Sequence, residues 1–225
     1  MENNCEYDAL MRVIRERRSI RRFLPDPIGA PILERLCEAA RWAPSAGNRQ
    51  PFRLLVVEDA PRREAMASAV RAVVERIVAA ARADRAADLA AYLENFSHFA
   101  QAPVVLAVVF RQGPDLLAVG RRAGEADPAA AGQRLLIDAV SSASAAIMNL
   151  LLAAHTLGLG ACWMTGPLVA AEELRSCLAV TRGWEIAALV PLGYPAEAPA
   201  PPPRRPLGRL VQRRSAGRAD DGSAA

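Results

Sequence analysis

The sequence contains no lysine: all 28 of its basic residues are arginines. They are balanced by 24 acidic residues, so the formal net charge of the 225-residue chain is only +4. Proteins that bind duplex nucleic acid concentrate positive charge on one face, whereas these arginines are spread from Arg12 to Arg218. We therefore predict no nucleic-acid partner. An arginine-rich nucleic-acid-binding or regulatory module is the alternative from a different functional class.

Metal-ligand spacing is also missing. The four cysteines, Cys5, Cys37, Cys162 and Cys177, form no CxxC pair, and no histidine stands at ligand spacing from them. Structural zinc sites and iron–sulfur clusters need such groupings of cysteine and histidine. We therefore predict no metal site, and we expect the cysteines to be free thiols that pack as small apolar groups.

The sequence also shows no targeting or membrane signal. The first residues, MENNCEYD, are acidic and polar, unlike a secretory signal. The most apolar stretch, residues 143–154, is too short to span a bilayer. We expect this stretch to be a buried helix, and we expect a cytoplasmic, reducing location without membrane attachment.

What is present is an ordinary globular composition. Hydrophobic residues make up 52% and charged residues 23% of the chain. The length suits one domain whose core is large enough to need no disulfide. We predict a single domain over residues 1–213 and a disordered tail over residues 214–225.

Hydrophobic periodicity outlines the secondary structure. Apolar residues at helical spacing predict two early helices, one around residues 7–14 and one around 32–40. The apolar runs at 54–58 and 104–110 predict buried strands, and a long helical region between them runs from Pro61 to about Glu94. A mobile loop is predicted over 111–129, followed by a long helix over 130–156.

The last third of the chain completes the pattern. GACWM and EIAALVPLGYP are predicted to form strands, with a short helix around AAEELRSCL between them. The proline-rich arm APAPPPRRP, residues 198–206, is predicted to be extended. Because few strands are covered by many helices, the pattern favours an α+β fold.

One segment combines dense charge with apolar residues. RRSIRRF, residues 17–23, holds four arginines, and Ser19, Ile20 and Phe23 interrupt them. A basic stretch by itself is most often a solvated face. The interruptions, however, allow this segment to turn its polar groups toward a ligand while its apolar residues anchor it to a core.

Four spaced segments together resemble the flavin-dependent nitroreductase family. They are RRSIRRF, ARWAPSAGNRQPFRLLVVED at 40–59, NLLLAAHTLGLGACWMTGPL at 149–168 and PLGYPAEAPAPPPRRPLGRLV at 191–211. Their order and approximate spacing match the family over most of the chain. The GxG in the third segment is not a dinucleotide fingerprint, because it lies between a helix and a strand, in the reverse of the Rossmann order.

The resemblance implies a three-layer α/β/α sandwich with a mainly antiparallel sheet, in a homodimer that exchanges its C-terminal arm. It also implies FMN at the subunit interface, where arginines meet the phosphate and small residues meet the broad apolar ring. The residues that it places on the cofactor are Arg17, Arg18, Ser19, Arg21, Pro44, Ser45, Ala46, Asn48, Thr165, Gly166, Arg204 and Arg205.

These residues have different implied roles. Arg17 and the two arm arginines would bind the phosphate, and Arg21 would reach the pyrimidine end of the ring. The loop 44–48 would come from the neighbouring subunit and lie against the ring. The backbone N–H groups of residues 165–166 would face flavin N5. Many family members carry an acidic residue at the first of these two positions, so the threonine here bears on substrate preference.

The implied activity is a two-electron reduction. NADH or NADPH would reduce the flavin and leave, and a nitroaromatic, quinone or enone acceptor would then take the hydride in a ping-pong mechanism. No side chain is expected to act as a catalytic acid or base, because flavin N5 performs the transfer. The alternatives within the family are specialised biosynthetic reactions, namely reduction of a double bond, oxidation of a ring or cleavage of the flavin itself.

The remaining histidine and aromatic residues are given structural roles. We expect His155 to be a hydrogen-bonded core or cap residue and Trp163 to lie in the core. Trp42 is expected to pack beneath the loop 44–48. For Phe96 and Phe99 two roles stay open, because either could line the pocket or simply pack.

Overall fold

The computed structural model describes residues 5–113 and 128–213 of the chain. Most of the loop predicted at 111–129, and the tail predicted at 214–225, lie outside the described residues. Within them the predicted helices and strands occur in the predicted order. Two elements, the helix after the first strand and the strand from GACWM, differ in extent from the prediction.

A four-stranded sheet forms the centre of the fold. Its strands are β1 (Phe52–Val57), β2 (Val104–Phe110), β3 (Gly160–Ala161) and β4 (Glu185–Gly193). They are arranged in the order β1-β2-β4-β3. All three neighbouring pairs are antiparallel, with Phe52 opposite Phe110 and Val104 opposite Leu192. The mainly antiparallel sheet is therefore confirmed.

Helices cover this sheet. In the described residues the α-helices are α1 (Cys5–Glu16), α2 (Ala30–Arg41), α3 (Ala60–Ala79), α4 (Ala86–Leu93), α5 (Pro128–Thr156) and α6 (Ala171–Cys177). Short 3₁₀ helices occupy Ala46–Asn48, Glu94–Gln101, Gly166–Ala170 and Leu207–Arg209. Pro31 stands in the first turn of α2, where its missing N–H costs no hydrogen bond.

The helical region predicted over 61–94 is divided into α3 and α4. No glycine or proline occurs between residues 62 and 94, so no breaker in the sequence marks the division. The N–H of Ala80 ends α3 by donating to the carbonyl of Arg76. Tertiary packing separates the two helices, since α3 buries four residues in the core whereas α4 buries Leu93.

The strand predicted from GACWM is shorter than expected. Gly160 and Ala161 pair with β4, and Met164 rejoins it through an isolated bridge to Leu189. The two residues between them, 162 and 163, lie outside the ladder. Their side chains line a cavity instead of continuing the sheet.

Both faces of the sheet are covered. Successive side chains of a strand point to opposite faces, so Val104 and Val108 of β2 join a core with α2 and α5, whereas Val105 and Val109 join a second core with α3 and α6. Every residue of β2 is buried, as a central strand with two covered faces requires. The predicted α/β/α sandwich is confirmed.

The long helix α5 is only partly covered. Ala143, Ile147 and Leu150 are fully buried against the sheet, whereas Ile137 and Met148 are 56% and 41% exposed. By length and composition, residues 130–156 form the one described helix that could cross a membrane. The apolar stretch 143–154 is the part of this helix that packs against the sheet, so the expectation of a buried helix is confirmed. Its packing in the first core identifies it as a core helix with one exposed apolar face.

Candidate functional site

The arginine segment 17–23 lies along the edge of the sheet. The N–H of Ile20 donates to the carbonyl of Ala161 at 3.0 Å, and the N–H of Leu24 donates to the carbonyl of Tyr194 at 2.8 Å. An isolated bridge also pairs Ser19 with Ala161. Backbone hydrogen bonds to β3 and to the residue after β4 therefore hold the segment in place.

Two glycines let this segment approach the sheet closely. A Cβ atom at Gly160 would lie 2.7 Å from Cγ2 of Ile20, and one at Gly193 would lie 2.9 Å from Cδ1 of Phe23. Ile20 is buried and Phe23 is half-buried. The prediction that apolar residues anchor the basic segment is confirmed.

Three predicted site residues converge on Cys162. Ser19 forms a hydrogen bond with its side chain, and the charges of Arg21 and Arg17 act on it. Burial raises the pKa of the Cys162 thiol, and the two arginines and the serine oppose that rise. Arg17, Ser19 and Arg21 alternate along the chain, as side chains on one face of an extended segment do. The sequence predicted only a packing role for Cys162. Its position directly after β3 is seen only in the folded sheet.

Arg17 and Arg18 meet Arg204 of the C-terminal arm around a cavity of about 680 Å³. Arg18 donates to the carbonyls of Arg15 and Arg17 at 2.6 and 2.7 Å. Among the described residues, no carboxylate forms a salt bridge with Arg17, Arg18 or Arg204. Arg205 follows on the same arm and is exposed. Guanidinium groups without carboxylate partners around one cavity suit a polyvalent anion.

Glu197 connects the two chain segments that carry these arginines. Its Oε1 accepts the N–H groups of Arg21 at 2.6 Å and of Arg22 at 3.1 Å, and its Oε2 accepts Nε of Arg22 at 3.1 Å. The hydrogen bond from the Arg21 N–H is the main cause that lowers the pKa of Glu197. Sequence reasoning missed this residue, because nothing local relates position 197 to position 21.

A smaller cavity of about 390 Å³ borders the same arginines. It is lined by Arg17, Arg18 and Glu197, together with His155 near the end of α5. Nε2 of His155 lies 3.9 Å from a carboxylate oxygen of Glu16 on α1. At 3.9 Å this contact is too long for a hydrogen bond, so the role of His155 as a hydrogen-bonded core or cap residue stays a prediction.

Arg21, Thr165 and Gly166 line another cavity, of about 610 Å³. Thr165 and Gly166 begin a 3₁₀ helix, so their N–H groups have no partner inside that helix. A Cβ atom at Gly166 would lie 2.6 Å from Cε1 of Phe96. Tyr92 packs edge-on against Phe96, with ring centroids 5.5 Å apart. The cavity therefore combines a cation, free backbone donors and an aromatic wall.

The aromatic residues divide between cavity and core. Phe96 lines the cavity, whereas Phe99 is 1% exposed and packs in the second core. Trp163 is partly buried, packs against the first core and lines the cavity as well. It therefore lies at the boundary between the core, where it was predicted, and the cavity.

The loop 44–50 lines none of these three cavities. Pro44 and Asn48 line a separate one of about 310 Å³. Ser45 Oγ accepts the N–H of Gln50 at 2.9 Å, and Ala46 is exposed at the start of the short 3₁₀ helix. Gly47, Asn48 and Gln50 all have positive φ, between 47° and 59°. Four of the twelve predicted cofactor residues are therefore in a strained, exposed loop that the fold of one chain does not bring to the others.

Trp42 stands at the entrance to this loop. It is 74% exposed, and its Nε1 donates to a carboxylate oxygen of Glu38 at 2.7 Å. The guanidinium of Arg41 lies 5.6 Å from its ring centroid. The expectation that Trp42 packs beneath the loop was wrong, because its hydrogen bond holds the indole against α2 and outward.

Metal-ligating side chains are not grouped in the part of the chain that the structure describes. No three histidine, cysteine, aspartate or glutamate side chains there are arranged to hold an ion. The four cysteines are free thiols. The chemistry of the candidate site therefore comes from arginines, backbone N–H groups and aromatic rings.

Comparisons with known proteins agree with this arrangement. The model of the Nitroreductase family matches residues 14–194. A protein named NADH dehydrogenase from Thermus thermophilus is 36% identical over 201 residues, which cover 87% of this chain and 91% of that protein. A 5,6-dimethylbenzimidazole synthase from Rhodobacter capsulatus is 34% identical over 193 residues, 84% of each chain.

A solved structure points in the same direction. It is a Desulfovibrio desulfuricans protein assigned as a nitroreductase and determined in complex with FMN. Its superposition gives a TM-score of 0.66 at 27% identity and covers 96% of this chain and 99% of that one. The fold is thus shared with a flavoprotein.

Proposed function

This chain belongs to the nitroreductase family, and from that membership we propose that it is an FMN-dependent oxidoreductase driven by NADH or NADPH. The observation that carries the proposal is the cavity where Arg17, Arg18 and Arg204 meet without a carboxylate partner among the described residues. An FMN phosphate is a dianion with three acceptor oxygens, which is the ligand that such a group of cations favours.

The second cavity fits the other end of the same cofactor. Arg21 supplies a positive charge for the pyrimidine end of the ring, and Thr165 and Gly166 supply N–H donors that the short helix leaves free. The missing side chain at Gly166 lets Phe96 close the wall beside these donors. When bound, FMN supplies hydride transfer at its N5 atom. The chain itself binds, orients and electrostatically stabilises the ring, and the mechanism calls on no side-chain acid or base.

The proposal extends to the class of electron acceptor. An aromatic wall of Tyr92, Phe96 and Trp163 suits a planar acceptor such as a nitroaromatic, quinone or enone. Donor and acceptor would use the same open face in turn. Initial rates at several fixed acceptor concentrations should then give parallel double-reciprocal lines. Intersecting lines would contradict the shared face.

The proposed site also needs a second copy of the chain. The loop 44–50 lines a cavity separate from those of Arg17 and Arg21, which supports a site to which a neighbouring subunit contributes the loop. Apolar side chains on α1, on α5 and on the arm provide an uncovered surface for that neighbour, namely Tyr7, Leu10, Ile14, Ile137, Met148, Leu207 and Leu210. The proposed assembly is a homodimer, in which any exchange of the C-terminal arm begins beyond Arg204, since Arg204 lines a cavity with Arg17 of its own chain. The free thiols suit the cytoplasm as its compartment.

Phosphate recognition provides the test. We expect Arg17→Ala to weaken FMN binding about 10- to 100-fold, because a hydrogen bond between charged groups is worth about 1.5–3 kcal/mol. Riboflavin lacks the phosphate, so its affinity should change much less. Both affinities can be measured by flavin fluorescence.

Arg35→Ala, which removes an exposed arginine from α2, is the matched control and should leave both affinities unchanged. Equal loss of FMN and riboflavin in the Arg17 variant would show that Arg17 supports the fold and not the phosphate. A colourless protein that binds nucleic acid with a steep salt dependence would overturn the flavoprotein proposal altogether.

A specialised biosynthetic reaction is the second candidate. The observation in its favour is the 34% identity, over 84% of both chains, with a 5,6-dimethylbenzimidazole synthase. The dimethylbenzene ring and its two nitrogen substituents occur in the flavin too, which connects that name with the flavin-cleavage alternative. The loaded protein should be supplied with NADH and oxygen and the products analysed by mass spectrometry. Formation of 5,6-dimethylbenzimidazole would favour this candidate, and quinone turnover with intact FMN would favour the general reductase.

A further inference from the structure

The carboxylate of Glu197 lies where the C-terminal arm leaves the body of the protein. The N–H of Ala196 donates to the carbonyl of Arg22 at 3.0 Å, and the Glu197 carboxylate then takes the N–H groups of Arg21 and Arg22. In the described structure, residues 198–205 form no hydrogen bond to any other part of the chain. Glu197 is therefore the last attachment before Arg204.

The stretch between Glu197 and Arg204 is stiff enough for the orientation of the chain at Glu197 to determine where Arg204 lies. Four of its residues are prolines, at 199, 201, 202 and 203. Proline-rich segments are semi-rigid and rise about 3.1 Å per residue, so seven residues reach roughly 22 Å when extended. A small rotation at Glu197 would therefore displace the Arg204 guanidinium by several ångströms.

We propose that Glu197 is a positioning residue for the FMN phosphate: by fixing the start of the arm on the backbone of Arg21 and Arg22, it brings Arg204 to the same anion as Arg17. The inference rests on the proposed function. Glu197 does not itself contact the cofactor. It joins the two chain segments that carry the phosphate-binding cations.

The backbone bonds, and not the ion pair with Arg22, carry this role. The Arg22 side chain is 73% exposed, whereas the Glu197 side chain is 16% exposed. An exposed ion pair contributes little to stability. A largely buried carboxylate that accepts two backbone N–H groups is costly to remove. Glu16, Arg17, Arg18 and His155 line the cavity that Glu197 borders, and none of them is substituted in the variants compared.

The first experiment compares three variants by their affinity for FMN and for riboflavin. We expect Glu197→Ala to weaken FMN about tenfold or more and riboflavin less than about twofold, since the backbone bonds of Ile20 and Leu24 still hold Arg21 while the phosphate loses a cation. Glu197→Gln keeps an oxygen that can accept both N–H groups and should recover most of the FMN affinity. Arg22→Ala removes the exposed ion pair alone and should behave like the unmodified protein. An unchanged ratio of the two affinities in Glu197→Ala would overturn the inference.

The second experiment tests whether Glu197 acts through Arg204. If it does, Glu197→Ala should add little to the FMN loss already caused by Arg204→Ala, because the guanidinium that it positions is gone. If the fold losses in FMN affinity from the two single substitutions multiplied in the double variant, the two residues would act independently, and the inference would be overturned.

The third experiment needs no cofactor. In the cofactor-free protein, Glu197→Ala should speed amide hydrogen exchange at Arg21 and Arg22, and Glu197→Gln should restore protection. Unchanged exchange would overturn the inference even if FMN binds. Failure of the unmodified protein to bind FMN would instead overturn the proposed function, while the exchange data would still decide whether Glu197 holds the arm.

Discussion

The arginine segment 17–23 and the loop 44–50 are both predicted to touch the same cofactor, yet the chain holds them in opposite ways. The segment is bonded to β3, to the end of β4 and to Glu197, and it buries Ile20. The loop is held by its own short-range contacts, such as that between Ser45 and Gln50. It is mostly exposed and has three residues with positive φ.

The comparison indicates which half of the proposed site is already formed within one chain before two chains associate. Tertiary hydrogen bonds and close packing preorganise the segment, so its proposed contacts with the phosphate and the ring edge would need only one chain. The loop has less support, because it contacts α5 and its salt bridge to the rest of the described chain runs from Arg49 to Asp138 of that helix. We infer that a neighbouring subunit completes the loop's environment when the site forms.

The largest effect is expected from breaking the support of the segment. Gly160→Ala places a Cβ atom where Cγ2, Cβ and Cγ1 of Ile20 lie within 2.9 Å. These atoms belong to a buried, branched side chain that cannot swing away. We expect a loss of about 1–3 kcal/mol in the free energy of unfolding, measured by urea denaturation, together with weaker FMN binding.

Gly132→Ala is the matched control for this substitution. Gly132 lies in α5, and nothing is found within 4 Å of a Cβ atom placed there. Alanine should therefore stabilise the helix by about 0.5–1 kcal/mol. If Gly160→Ala proved as harmless as Gly132→Ala, close packing of Ile20 would not be what holds the segment.

Mixed dimers test the other half of the comparison. Arg17→Ala disables the segment, and Ala46→Arg puts a bulky charge on the exposed loop, so each variant alone should lose most activity. If the loop acts on the neighbouring subunit, refolding the two variants together creates heterodimers with one intact site. Random mixing should then restore roughly a quarter of the full activity.

The control for this experiment is to combine both substitutions in one chain and mix it with the unmodified chain. Such heterodimers contain no intact site, because each site takes its segment from one chain and its loop from the other. Failure of the Arg17→Ala and Ala46→Arg variants to complement each other would show that segment and loop act within the same chain.

The smallest effect is expected from relieving strain in the loop. Gln50 has a φ of 47°, in the left-handed region that disfavours residues with a Cβ atom. Gln50→Gly should therefore raise the free energy of unfolding by up to about 1 kcal/mol, since the relief exceeds the added flexibility of glycine. Thermal or urea unfolding can resolve this gain.

Gln50→Ala provides the comparison within that experiment. It removes the same exposed hydrogen bond to Asn48 as Gln50→Gly does, but it keeps the Cβ atom and hence the strain. The alanine variant should be no more stable than the unmodified protein. Equal stability of the two variants would mean that the loop is not strained at position 50.

Local patterns predicted most of the elements. Helical spacing gave α1, α2 and α5, and the run at 104–110 matched β2 residue for residue. Such patterns succeed because they depend on residues two to four positions apart. They failed where neighbours distant in the sequence decide: at the division of α3 from α4, at the shortened β3 and at the exposed side chain of Trp42.

The sequence by itself determined which chemical groups are available: a dense arginine segment with apolar anchors, a second pair of arginines on a proline-rich arm, and the motifs that resemble one family. Only the tertiary structure decided which of these groups meet. Arg17 and Arg204 are separated by most of the chain, and they share a cavity because the sheet register and the small Gly160 let the segment lie on β3. Periodicity carries no information about such contacts, since they depend on how the folded layers pack and not on spacing along the chain.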